Sequence, residues 1–167
     1  KWAMPACISA SMAMIGGALW KWGASEVRGH GGEVFFLTLL GLIWLIASSR
    51  LFPWLGLCIE DDIVERRNPA ALIALLGAVL AGAMIYAASN LGEGPSHWNN
   101  IFSAALGTAG LFTLWLGLEL GGRVSGSIAE GSDVASGPRL GGFLLSTGRV
   151  RPPTLAGHRH SDSSPTP

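Results

Sequence analysis

The sequence predicts an all-α membrane protein with four to five transmembrane helices built from tandem two-helix parallel repeats. Three observations carry that prediction: long runs without a charged residue, tryptophans at the ends of those runs, and a motif that recurs 65 residues further on. Of the 167 residues, 49% are hydrophobic and only 13% are charged. An ordinary soluble domain carries about 25% charged residues, so half of the usual water-facing charge is missing. The mean hydropathy is +0.42. Glycine, at 24 residues, is about twice as frequent as its usual share of roughly 7%, and membrane helices tolerate it well. Net charge is zero at pH 7, so nothing in it suggests a nucleic-acid partner.

The elements follow in order. About 20 apolar residues span a bilayer, because ~30 Å of hydrocarbon is crossed at ~1.5 Å per residue. Ala3 to Trp20 gives 18 residues without a charge, and Val34 to Ser49 gives 16, with the apolar run Leu51 to Ile59 beyond Arg50. Ala70 to Asn90 gives 21, and Ile101 to Leu118 gives 18, ending at Glu119. A soluble helix needs a polar face, and the third run has almost none, so it belongs in lipid or in a core too large for this chain. Trp20, Trp22, Trp54 and Trp98 sit at run ends, as an interfacial aromatic belt places them. Trp44 and Trp115 fall mid-run and read as helix packing.

Basic residues set the expected orientation. Arg50, Arg66 and Arg67 lie after the second run and Arg123 after the fourth, whereas 90–99 has no Lys or Arg. The positive-inside rule therefore places 58–69 and 121–133 in the cytoplasm and 90–99 outside. Lys21 and Arg28 fall on the outer side of this scheme and weigh against it.

The repeat emerges on self-comparison. Ile63, Glu65 and Ala70 recur as Ile128, Glu130 and Ala135, and Leu75, Gly77 and Leu80 recur as Leu140, Gly142 and Leu145. A fainter match relates Pro5, Ala6 and Ala10 to Pro69, Ala70 and Ala74. The unit reads as helix, acidic loop, Asn or Asp cap, then a small-residue helix. Each unit crosses twice, so successive units share one orientation and their acidic loops share one face. The expected organisation is 1–22 as the last helix of a truncated preceding repeat, 34–90 as the first complete repeat and 100–148 as the second, with an incomplete final helix. Arg149 to Pro167, rich in Arg, Pro, Ser and His, is expected to be a disordered tail. Asn68 before Pro69 has the form of an N-cap, with proline where no donor is needed. Asp133 stands at the equivalent position. Small residues at helical spacing, among them Ala70, Ala74, Gly77 with Ala81, and Gly117 with Gly121, predict close helix approach.

Glu-Arg-Arg-Asn-Pro-Ala-Ala at 65–71, Asn-Leu-Gly-Glu-Gly-Pro at 90–95 and Ile-Ala-Glu-Gly-Ser-Asp-Val-Ala-Ser-Gly at 128–137 resemble the bacterial inner-membrane family catalogued as domain of unknown function 350. The resemblance covers roughly residues 34–148. It implies four-helix units made of two tandem repeats and a multi-pass inner-membrane location, and it implies no biochemical activity.

The densest charge is the acidic motif Glu60, Asp61, Asp62 and Glu65, followed by Arg66, Arg67 and Asn68, with Glu130 and Asp133 in the second unit. Carboxylates near a helix start can hold a cation or polyamine; they also suit the positive end of the helix dipole without any ligand. A second candidate is the external loop with Glu93, His97 and Trp98. Cys7 and Cys58 lie far apart in apolar context and read as packing residues. No catalytic triad, phosphate-binding loop, dinucleotide fingerprint or paired-histidine zinc motif occurs, so neither an enzyme nor a cofactor or metal is expected. The expected partners are the lipid bilayer and either a second copy or another membrane protein. Two functions fit: a transport or channel-like helical bundle, or a non-transporting membrane scaffold or envelope-stress partner protein.

Overall fold

A computed structural model describes residues 3–92, 97–122, 125, 128 and 135–148. Every regular element among them is helical: α1 (Ala3–Trp22), α2 (Gly31–Ser49), α3 (Pro69–Ser89), α4 (His97–Gly122) and α5 (Ser136–Gly148). A short 3-10 turn at Phe52–Leu55 and a π-helical turn at Ile59–Glu65 link α2 to α3. Three helices, α2, α3 and the stretch Trp98–Gly122 of α4, are long and apolar enough to cross a membrane.

The apolar run beyond Arg50 does not continue the second helix. Pro53 has no N–H to give, and Gly56 takes the left-handed backbone (φ 84°), so the chain turns back there. Conversely, α2 starts earlier than its uncharged run and takes in Glu33, while α4 runs past Glu119. A single charge near a helix end does not stop the helix: Glu33 is exposed to water, and Glu119 is half-buried with a backbone N–H as its partner.

Helix α3 forms the axis. It packs against α1, α2, α4 and, most extensively, α5, and 72% of its apolar stretch is buried, against 17% for α2 and 22% for α4. Its small residues explain this. Ala70, Ala74, Gly77, Ala78 and Ala81 present little side chain, so backbones come close. A Cβ on Gly77 would lie 2.5 Å from Gly141 Cα, and one on Gly137 would lie 2.5 Å from the Ala70 carbonyl oxygen. Gly148 meets Ala81 in the same way. Ala70, Gly77 and Ala81 thus face Gly137, Gly141 and Gly148 in the same order, so α3 and α5 run parallel. Helix α1 also runs parallel to α3, since Met4 shares a cavity with Leu72 and the Cys7 thiol faces the Leu76 carbonyl at 3.9 Å.

Helices α2 and α4 return antiparallel. The Tyr86 hydroxyl donates to the Leu37 carbonyl at 2.8 Å, and Leu45 meets Gly82. Asn100 donates to Asn90, and Gly107 lies against Ile85. Their outer faces are apolar and exposed: Phe35, Phe36, Ile43 and Ile46 on α2, and Phe102, Leu106 and Leu120 on α4. A soluble monomer does not expose a continuous apolar face of this extent, whereas lipid tails solvate it without cost. Trp20, Trp22 and Trp98 are exposed at one end of the bundle and Trp54 at the other, as interfacial belts require. The two mid-run tryptophans point inward. Trp44 donates its indole N–H to Thr108 at 3.2 Å, and Trp115 donates to Ser125 at 3.1 Å.

The expected row Gly117 with Gly121 packs against nothing among the described residues: a Cβ on either would meet none of their atoms within 4 Å. Spacing marks a helix face as small; only the neighbours decide whether that face is used.

Candidate functional site

The elements around the start of α3 gather Glu60, Asp61, Asp62, Glu65 and Asn68, half of the candidate residues that the sequence singles out. Asn68 is buried at the N-cap, with its side-chain oxygen accepting from the Ala70 and Ala71 N–H groups at 2.9 and 3.3 Å. Pro69 follows at a position needing no donor. The cap expected from sequence is therefore present. The structure adds a contact that sequence did not show: the Asn68 amide N–H donates to the carbonyl of Ile128 at 2.6 Å. One side chain thus closes α3 and ties it to the segment between α4 and α5, 60 residues away.

The acidic motif divides. Asp62 is buried, and its carboxylate accepts from the Cys58 N–H at 2.8 Å. Its backbone carbonyl accepts from the Asn68 N–H at 2.9 Å. Glu60, Asp61 and Glu65 are exposed. Four carboxylates close in sequence are thus one structural acid and three solvated ones. No group of three His, Cys, Asp or Glu side chains suited to hold a metal ion occurs among the described residues. The π-helical winding produces this split. Arg66 N–H donates five residues back to Asp61, and a wider turn points its residues differently from an α-helix.

Arg67 ends that turn in the left-handed backbone region (φ 50°), the only non-glycine among the described residues to do so. A side chain there costs about 1 kcal/mol or more relative to glycine. Arg67 also borders a cavity of about 560 Å³ between the π-helical turn and the starts of α1 and α3.

Cys58 opens the π-helical turn. Desolvation, then the charge and hydrogen bonding of Asp61, then Asp62 and Glu60, all push its thiol pKa up. A thiol so placed stays protonated and unreactive at neutral pH.

Glu119 escaped the sequence reading except as the end of a run. Its carboxylate accepts from the Ser125 N–H at 2.8 Å beside Gly56, which joins the end of α4 to the turn after α2. A lone acid closing an apolar run is the signal that could have marked it. Tyr86, Asn90 and Asn100 form a second polar cluster at the opposite end, linked through the Asn90 side chain. The polar tips are few in an apolar run and show up only once the helices pair.

Of the external-loop residues, Glu93 lies outside the described residues, as do Glu130, Asp133 and the tail after Gly148. His97 begins α4 and Trp98 is exposed there; the structure brings neither to the start of α3. Two further clefts, of about 340 and 300 Å³, lie between α2 and α4 on either side of the Trp44–Thr108 contact. No family model, curated protein or solved structure matches this chain.

Proposed function

We propose that the chain is a non-transporting membrane scaffold, a multi-pass protein that works by packing helices. The observation that carries this is the position of α3. The axis of the bundle, where a carrier or channel keeps a polar pathway, is filled by the most apolar and most buried helix. Of the polar side chains near it, Tyr86, Asn90 and Thr108 are held by hydrogen bonds to neighbouring helices or to their own. The lone buried hydroxyl of Ser11 on α1, which has no hydrogen-bond partner among the described residues, does not make a pathway. Pathway carboxylates face a cavity within the membrane. Here the two acids in or beside the spans, Glu33 and Glu119, lie at helix ends.

The finer architecture belongs to the same proposal. Helix α1, with 20 residues, makes a fourth crossing, and α5, about 20 Å long at 13 residues, is the incomplete fifth. The parallel run of α1, α3 and α5 supports tandem two-helix repeats. The motif resemblance supports a bacterial inner membrane and the family named above. The unused glycine row on α4 suits a second copy or another membrane protein.

The clefts between α2 and α4 favour a second reading, lateral passage of a small solute in the plane of those helices. Reconstitution into vesicles loaded with proton- and potassium-sensitive dyes separates the two. The scaffold predicts leakage equal to that of protein-free vesicles. Flux above that level, stopped by Leu40→Trp in the larger cleft, would establish passage instead.

A further inference from the structure

A cavity of about 560 Å³ opens at the start of α3, walled by Met4 of α1, Ile59, Ile63 and Val64 of the π-helical turn, and Leu72 of α3, with Arg67 beside them. It is larger than either cleft between α2 and α4. Its depth in the bilayer follows from helix length. Helix α3 has 21 residues and is about 31 Å long, which matches the ~30 Å hydrocarbon layer. Pro69 therefore sits at the hydrocarbon boundary, Arg67 at the headgroups and Leu72 inside the acyl region.

The backbone at Arg67 says something more. Glycine would take this left-handed position without strain, yet the chain places there a long cation, exposed at the mouth of an apolar cavity. A left-handed residue just after the C-cap is a common helix ending, but keeping a long cation there instead of glycine or asparagine is the kind of strain that clusters at functional contacts. A guanidinium binds a phosphate through paired, charge-assisted hydrogen bonds. The headgroup is selected by the rest of the segment. Residues 60–67 carry four carboxylates against two guanidinium groups, and Glu60, Asp61 and Glu65 are exposed. That balance disfavours a net anionic lipid and suits one that also carries an ammonium.

We infer that this cavity binds a phospholipid with an ammonium headgroup, of the phosphatidylethanolamine class: one acyl chain against Met4, Ile63 and Leu72, the phosphate on Arg67, and the ammonium toward the exposed acids. The inference rests on the membrane reading and not on the choice between scaffold and carrier.

Native mass spectrometry of the detergent-purified chain, titrated with short-chain phosphatidylethanolamine or phosphatidylglycerol, tests it. Wild type should bind phosphatidylethanolamine more tightly. Arg67→Gly should unfold at a higher temperature without lipid, yet bind about tenfold more weakly. Arg67→Asn, which also tolerates the left-handed backbone, should repeat the loss. Glu60→Gln, Asp61→Asn and Glu65→Gln together should narrow the preference between the two lipids. A photo-crosslinking side chain at Val64 should capture lipid in native membranes. Undiminished binding by both Arg67 variants, a preference for phosphatidylglycerol, or a crosslinked second copy at Val64 would overturn the inference. Recovery of the chain in the soluble fraction after lysis would overturn the membrane reading beneath it.

Discussion

Asn68 illustrates how one side chain can be half legible. The Asn-Pro pair announces a cap, and on that ground Asn68→Asp is expected to be tolerated, because Asp caps equally well and stands at position 133. The amide N–H donated to Ile128 reverses that expectation. Aspartate has no such donor and would set a carboxylate oxygen against a carbonyl in a buried site. Both Asn68→Asp and Asn68→Ala should therefore destabilise the fold by about 2 kcal/mol or more, read as a lowered unfolding midpoint in detergent. A wild-type midpoint for Asn68→Asp would show that the Ile128 contact carries no weight. Cys58 gives a chemical counterpart. Its raised pKa keeps the thiolate scarce at neutral pH, so alkylation should be slow and should accelerate only above the usual thiol range. Burial is the larger cause and Asp61 the next, so Asp61→Asn should quicken alkylation at pH 7 without making it fast.

At the scale of elements, the contact between α3 and α5 is the one most exposed to small changes. Gly77→Val would press new atoms against the Gly141 backbone, which cannot swing aside as a side chain can. A loss of about 1–3 kcal/mol is expected from such overpacking, together with release of α5 to limited proteolysis. The glycines of α4 are the contrast. At Gly117 and Gly121 an added methyl meets nothing among the described residues, so Ala there should stabilise the protomer by up to about 1 kcal/mol through helix propensity. If the same changes weakened self-association on a sizing column, the row would belong to an interface between copies. The sequence marks both sets of glycines alike, because periodicity reports a face and not its neighbour. The breaks before and after Gly56 were equally hidden, since Leu51 to Ile59 is apolar throughout and only Pro53 and Gly56 interrupt it.

For the molecule as a whole, the parallel helices and the Asn68–Ile128 contact bring 59–68 and Ile128 to one end of the bundle, while 90–92 and the start of α4 lie at the other. Orientation can then be tested in intact cells with Cys7 and Cys58 replaced. A cysteine at Ser96 should react with a membrane-impermeant maleimide, and one at Glu65 should not; the reverse pattern would invert the assignment. Glu65 serves better than Asp62 for this purpose, because Asp62 is buried and would be silent on either side.

What the sequence determined by itself is where apolar matter lies along the chain. Charge-free runs of bilayer length, tryptophans at their ends and Asn68 with Pro69 at a helix start are all local, and local chemistry suffices to place α1 to α4 within a few residues. Which helix became the axis was decided by tertiary structure. Ala70 to Ser89 is the most apolar run, yet it is buried in protein while Phe35, Ile43 and Leu106 on less apolar helices face outward. The reason is physical: in lipid no hydrophobic gradient sorts inside from outside, so close packing of small residues does, and that depends on which helices meet. The division of the acidic motif was decided in the same way, by a wide turn that buried Asp62 and left its neighbours in water.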